Sequence, residues 1–124
     1  MEYLNIEDEK YQRIIQEYVP GRQVTLAHII ASPDEVLYKK LGLDPKLDYA
    51  KAAIGVTTVT PSETAIIMAD IAMKASGIQI GFVDRFSGSL IFTGTVSEVE
   101  AAMVAQLEYV KNKLGYTVCE VTKT

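Results

Sequence analysis

The sequence predicts an α+β domain of the split, ferredoxin-like kind: a double β-α-β with an antiparallel sheet and both helices packed on one face. Three observations predict it. A β-branched run, a Ser/Thr-x-x-Glu signal, an amphipathic run closed by glycine and a second strand-like run follow one another from Ala53 to Phe86, and the same order recurs from Ser89 to Val121. A chain of 124 residues fits one core and leaves no room for a cofactor domain beside a substrate domain. A composition of 48% hydrophobic and 23% charged residues lets that core form without disulfide or metal staples.

Taken in order, residues 1–10 form an acidic lead with Glu2, Glu7, Asp8 and Glu9 and no apolar run, so a flexible segment is expected, neither secretory signal nor membrane helix. Residues 11–21 hold a short strand. Arg13 to Val19 is rich in β-branched and aromatic residues, and Pro20-Gly21 supplies the turn that ends it. Its two faces, Ile14/Gln16/Tyr18 and Ile15/Glu17/Val19, are both mixed, which frees this strand from the main core.

The body of the domain is residues 22–124. Gln23 to Ala31 is a nearly continuous apolar run through Val24, Leu26, Ala27, Ile29 and Ile30, as a covered strand requires. Ser32 is placed to cap a helix with Pro33 at its first position and Val36, Leu37 and Leu41 as its stripe, and Gly42 stops it. Leu43 to Lys51, charged and containing Pro45, reads as a surface loop.

The first repeat then runs as a strand from Ala53 to Thr60, a capping box Thr60-Pro61-Ser62-Glu63, a helix to Ser76 and a strand from Ile78 to Phe86. In its helix Ala65, Ala69 and Ala72 make one stripe and Ile67 and Ile71 another, wider than one sheet face needs, so part of it is free to meet a neighbour. The second repeat runs as a strand from Ser89 to Val96, a capping box Ser97 to Glu100, a helix to Leu114 with a Val99, Met103, Val110 and Leu114 stripe, and a closing strand from Tyr116 to about Val121.

Chemistry is scarce. A net charge of −4 disfavours a nucleic-acid backbone as partner. One histidine, His28, and one cysteine, Cys119, form neither a zinc site nor a disulfide; both are read as structural, and a cytoplasmic protein is expected with no cofactor, no metal and no catalytic residues. Asp84-Arg85-Phe86-Ser87-Gly88-Ser89, between the repeats, is either a plain hairpin turn with a solvated Asp84–Arg85 pair or a functional loop.

The residues also carry a family resemblance. Ile15-Gln16-Glu17-Tyr18-Val19-Pro20-Gly21-Arg22-Gln23-Val24-Thr25-Leu26-Ala27-His28 resembles the start of the circularly permuted bacterial microcompartment shell proteins of the ethanolamine- and propanediol-utilisation types. Thr60-Pro61-Ser62-Glu63, Gly81-Phe82-Val83-Asp84-Arg85-Phe86-Ser87-Gly88 and Tyr116-Thr117-Val118-Cys119 match in the same order and at compatible spacing. The resemblance implies a structural, non-enzymatic protein that forms a cyclic homohexamer and tiles edge to edge with other shell hexamers, with a strand and short helix moved from the end of the usual domain to its start. It further implies that Phe86, Ser87 and Gly88 line a central pore, and that Ile14, Ile15, Gln16, Glu17, Tyr18 and Val19 form one strand of a six-stranded barrel capping it. Lys74 matches the lysine that such hexamers set against their neighbours, and targeting peptides of encapsulated enzymes are possible partners. The alternative function is a small oligomeric ligand-binding or regulatory domain that uses the Asp84 to Ser89 loop as its site.

Overall fold

The computed structural model describes residues 21–43 and 52–124. The acidic lead, the expected strand with its residues Ile14 to Val19, and nearly all of the loop from Leu43 to Lys51 lie outside the described residues.

The elements are β1 (Gln23–Ile30), α1 (Glu35–Lys40), β2 (Ala53–Thr60), α2 (Thr64–Ala75), β3 (Gln79–Asp84), β4 (Ser89–Gly94), α3 (Val96–Asn112) and β5 (Thr122–Lys123). The strands form one five-stranded sheet in the order β3-β4-β2-β1-β5. Both β-α-β units are split: β4 lies between β2 and β3, while β2 and β1 lie between β4 and β5. The expected antiparallel sheet holds for every pair except β1 with β5, which is parallel.

That exception has a physical cause. In the expected arrangement the closing strand of the second unit would sit beside β2. β1 takes that place instead, because its eight residues bury Val24, Ala27 and Ile29, whereas Thr122 and Lys123 are both exposed and bring no apolar surface to the core. β5 is left to pair with the outer edge of β1. The stretch expected as the last strand, Tyr116 to Val121, is irregular, with a single bridge from Thr117 to Gln23.

Both long helices cover one face of the sheet. Val24, Ala27, Ile29, Ala53, Val59, Leu90 and Phe92 meet Ala65, Met68, Ala72, Val99, Met103 and Val110 in one core. Phe92 is fully buried at its centre and rests on Gly55, where a β-carbon would fall 2.4 Å from the ring; that contact explains a glycine inside a strand. Each such large apolar side chain contributes roughly 1.5–3 kcal/mol by burial. A polar tie runs through the same core: fully buried Gln106 on α3 accepts a hydrogen bond from Thr57 of β2 at 3.5 Å and donates to the Ala102 carbonyl at 3.2 Å.

Strand residues alternate faces, so Ile54 and Ile91 point the other way. There they form a smaller cluster with Tyr38 and Leu43, flanked by Leu37 and Leu41 of the α1 region.

The helix starts differ from expectation in three places. Asp34, not Ser32, caps α1, its carboxylate accepting the Val36 N–H at 3.0 Å, so Pro33 lies outside the helix. The Thr60 to Glu63 box does not form: Glu63 holds the cap position without a side-chain bond, and the first N–H groups are met by i→i+3 bonds such as Thr64 N–H to Pro61 O at 3.0 Å. In α3 the box is Thr95 with Glu98 rather than Ser97 with Glu100. Both pairs have the same spacing, and the earlier one wins because it brings Val96 against the core.

Candidate assembly surfaces

The Asp84 to Ser89 segment joins β3 to β4 and is built as a closed, self-bonded turn. The Asp84 carboxylate accepts the Phe86 N–H at 2.8 Å and the Ser87 hydroxyl at 2.9 Å, and the Gly88 N–H closes on the Asp84 carbonyl at 2.9 Å. These bonds hold the Asp84 carboxyl below its ordinary range, the Phe86 amide being the largest cause. The expected solvated Asp84–Arg85 pair is therefore absent; Arg85 lies over the Phe86 ring instead, 5.1 Å from its centroid. Gly88 is buried with φ at +78°, and Phe86 stands out from the turn, 82% exposed.

The turn is anchored to the end of β2. The Gly88 carbonyl accepts the Val59 N–H at 3.1 Å, and the next residue of β2, Thr60, pairs with Gln23 at the start of β1. The point where residues 1–20 join the domain and the Phe86 turn thus share one end of the sheet. α2 begins at this same end, since a β-carbon on Gly88 would lie 3.2 Å from Ser62 Cα. From Thr64 it runs about ten residues, roughly 15 Å, to Lys74 at the opposite end.

Lys74 sits on an open groove of about 390 Å³ between α2 and α3, lined by Ile67, Asp70, Ile71, Ala75, Ala105 and Tyr109. The ammonium bonds to the Asp70 carboxylate at 2.7 Å. That bond and the attraction of the same carboxylate raise the Lys74 pKa above its usual value. Ile67, expected to lie on surplus apolar surface, is indeed exposed. The pairing with Asp70 was readable as an i, i+4 acid–base spacing, whereas Tyr109 arrives from another helix and had no sequence signal.

His28 and Cys119 take structural places. The two ring nitrogens of His28 bond to Thr122 Oγ1 at 2.5 Å and Thr124 Oγ1 at 2.9 Å, and Cys119 is half-buried against the main core. Among the described residues no group of histidine, cysteine, aspartate and glutamate is placed to hold a metal, and no helix is long and apolar enough to cross a membrane.

The arrangement is that of a small α+β domain with a self-bonded turn at one end and, at the other, an apolar groove that carries the Lys74–Asp70 ion pair. Residues 53–122 match the BMC domain model, and the chain belongs to the BMC-domain family of bacterial microcompartment shell proteins. It is 53% identical over 115 residues to the bacterial microcompartment shell protein CutR of Streptococcus intermedius, covering 93% of this chain and 95% of that one. It is 51% identical to the shell protein EutS of Salmonella typhimurium, over 91% and 97% of the two chains. Among solved structures it resembles a CutR flat hexamer, with a TM-score of 0.77 and 51% identity over 87% of this chain and 95% of that one. A CutR dimer with a domain swap gives a TM-score of 0.59 at 50% identity, over 84% of this chain and 100% of that one. The fused permuted hexameric shell protein MSM0275 of the RMM microcompartment gives 0.62 at 26% identity, over 71% and 46%.

Proposed function

We propose that the chain is a non-catalytic building block that forms a cyclic hexamer and tiles the shell of a bacterial microcompartment in the cytoplasm. The observation that carries this reading is the placement of two distinct surfaces at opposite ends of the domain. The self-bonded turn and the entry point of residues 1–20 lie at one end, and the Lys74 groove lies at the other. In a ring of such domains Phe86, Ser87 and Gly88 surround the axis, and Ile14 to Val19 are delivered directly above them as one strand of a six-stranded barrel that caps the pore. Lys74 and its groove then fall at the rim, against the next hexamer and other shell proteins. With the pore capped, targeting peptides of encapsulated enzymes would dock on a hexamer face rather than in the channel.

Circular permutation belongs to the same proposal. The family match begins at Ala53, yet β1, which precedes it, occupies the inner position between β2 and β5. A strand needed inside the sheet but supplied from ahead of the matched region is what moving a C-terminal strand to the start of the chain would produce. Likeness to a permuted fused shell protein supports the same reading.

Light scattering tests the assembly: a mass of about 82 kDa is expected, six times the 13.6 kDa of one chain. A stable monomer at micromolar concentration overturns it.

A further inference from the structure

The two long helices meet at one corner, where α2 ends and α3 begins. Ser76, which closes α2, is extended with φ at −159° and ψ at −179°, and its hydroxyl leaves its own helix to donate to the Glu98 carbonyl at 2.8 Å. Gly77 follows, and it does not take the left-handed conformation that Gly42 and Gly115 take after the other two helices. Its missing side chain has another use: a β-carbon there would fall 2.4 Å from Glu98 Oε2. A β-carbon on Gly94, at the end of β4, would lie 3.3 Å from Glu98 Oε1, the oxygen that accepts the Thr95 N–H at 2.9 Å. One glutamate thus fills the space left by two glycines, and Ser76 holds it by the main chain.

We propose that this corner sets the geometry of the Lys74 groove, with Ser76 and Glu98 as its positioning residues. The functional consequence rests on reading that groove as the rim of a shell tile; the corner then fixes the shape that the rim presents. Lys74 and Ala75 lie in the last turn of α2, directly before Ser76. On α3, Ala105 and Tyr109 stand at i+7 and i+11 from Glu98, spacings that return to one stripe of a helix with 3.6 residues per turn. Both walls of the groove therefore start at the corner. The ion pair on the groove, Lys74 with Asp70, joins two residues of α2 and so does nothing to fix one helix against the other. The Ser76 bond does cross between the helices, and it is directional, so it holds the last turn of α2 at one angle to the first turn of α3.

Four variants of the full chain test it. Ser76→Ala deletes the hydroxyl, Ser76→Thr keeps it, and Gly77→Ala pushes aside the Glu98 carboxylate, the tip of a flexible side chain, without removing a donor. Thr25→Ala is the control, since it loses a 2.8 Å hydroxyl bond between β1 and Thr58 of β2. The first readout is methyl NMR of Ile67 and Ile71, which share the groove with the Tyr109 ring. Both resonances should shift in Ser76→Ala and Gly77→Ala and stay in place in Ser76→Thr and Thr25→Ala. The second readout is the lowest concentration at which extended sheets appear by electron microscopy. It should rise roughly fivefold in the first two variants at unchanged ring mass, as loss of about one net hydrogen bond implies. Unmoved methyls in both Ser76→Ala and Gly77→Ala would overturn the proposal, and so would equal shifts in Thr25→Ala, which general loosening would explain. Moved methyls with unchanged sheets would uphold the positioning and remove the groove from the rim. Should Ser76→Ala fail to fold by circular dichroism, Gly77→Ala decides alone.

Discussion

Gly88 lies against Val59 so closely that a β-carbon there would fall 2.1 Å from the Val59 carbonyl oxygen. The same residue has φ at +78° and accepts the Val59 N–H through its own carbonyl. Turn and strand end are thus one rigid unit, closed by a residue without a side chain. Gly88→Ala adds both a left-handed backbone penalty and a backbone clash, and should cost about 2–4 kcal/mol. Its denaturation midpoint should fall accordingly; an unchanged midpoint would mean the turn yields easily.

Asp84 makes the turn sensitive to acid. Its carboxyl is held below the ordinary value of 3.8 by the Phe86 amide and the Ser87 hydroxyl. A carboxyl depressed on folding contributes stability that is complete above its unfolded value and is lost as the pH falls through the lower, folded one. Protection of the Phe86 amide against hydrogen exchange should therefore be constant at neutral pH and decline only in acid below 3.8. Asp84→Asn keeps an acceptor without the charge, and should remove that acid dependence while retaining part of the protection.

At the other end, Lys74→Ala should leave ring formation intact and abolish extended sheets. The side chain is exposed and outside the core, so thermal stability should be nearly unchanged. Electron microscopy of the variant beside a light-scattering mass separates the two effects. Sheets of normal extent from Lys74→Ala would remove the groove from the edge.

Deleting residues 1–20 examines the cap separately. The expected product keeps the mass of a hexamer and displays an open central channel by electron microscopy. Collapse to monomers would instead place that segment in the subunit interface or the core.

Much of the fold was legible because it rests on local signals. The β-branched run Ala53 to Thr60, the alanine stripe of α2 and the glycines after the long helices each decide one element through neighbours within a few residues. The helix starts were harder to read. Thr95-x-x-Glu98 and Ser97-x-x-Glu100 offer the same chemistry two residues apart, and only the fit of Val96 to the sheet separates them. The turn was found as a segment, but its internal bonding was not: Asp84 and Arg85, adjacent and opposite in charge, turn to a backbone amide and to a phenyl ring.

By itself, then, the sequence determined the types of the elements from Gln23 to Asn112 among the described residues, the helix-covered face of the sheet and, through several motifs in one register, the family. Those properties depend on periodicity and on short-range backbone chemistry, which a linear pattern records. Tertiary structure alone decided that β1 displaces β5 from the side of β2, that Tyr109 joins Lys74 on one groove, and that His28 fastens the chain's last residues. Each of these brings together residues dozens of positions apart. Which partner wins depends on the apolar area and hydrogen bonds gained when the whole sheet closes, and no local window contains that competition.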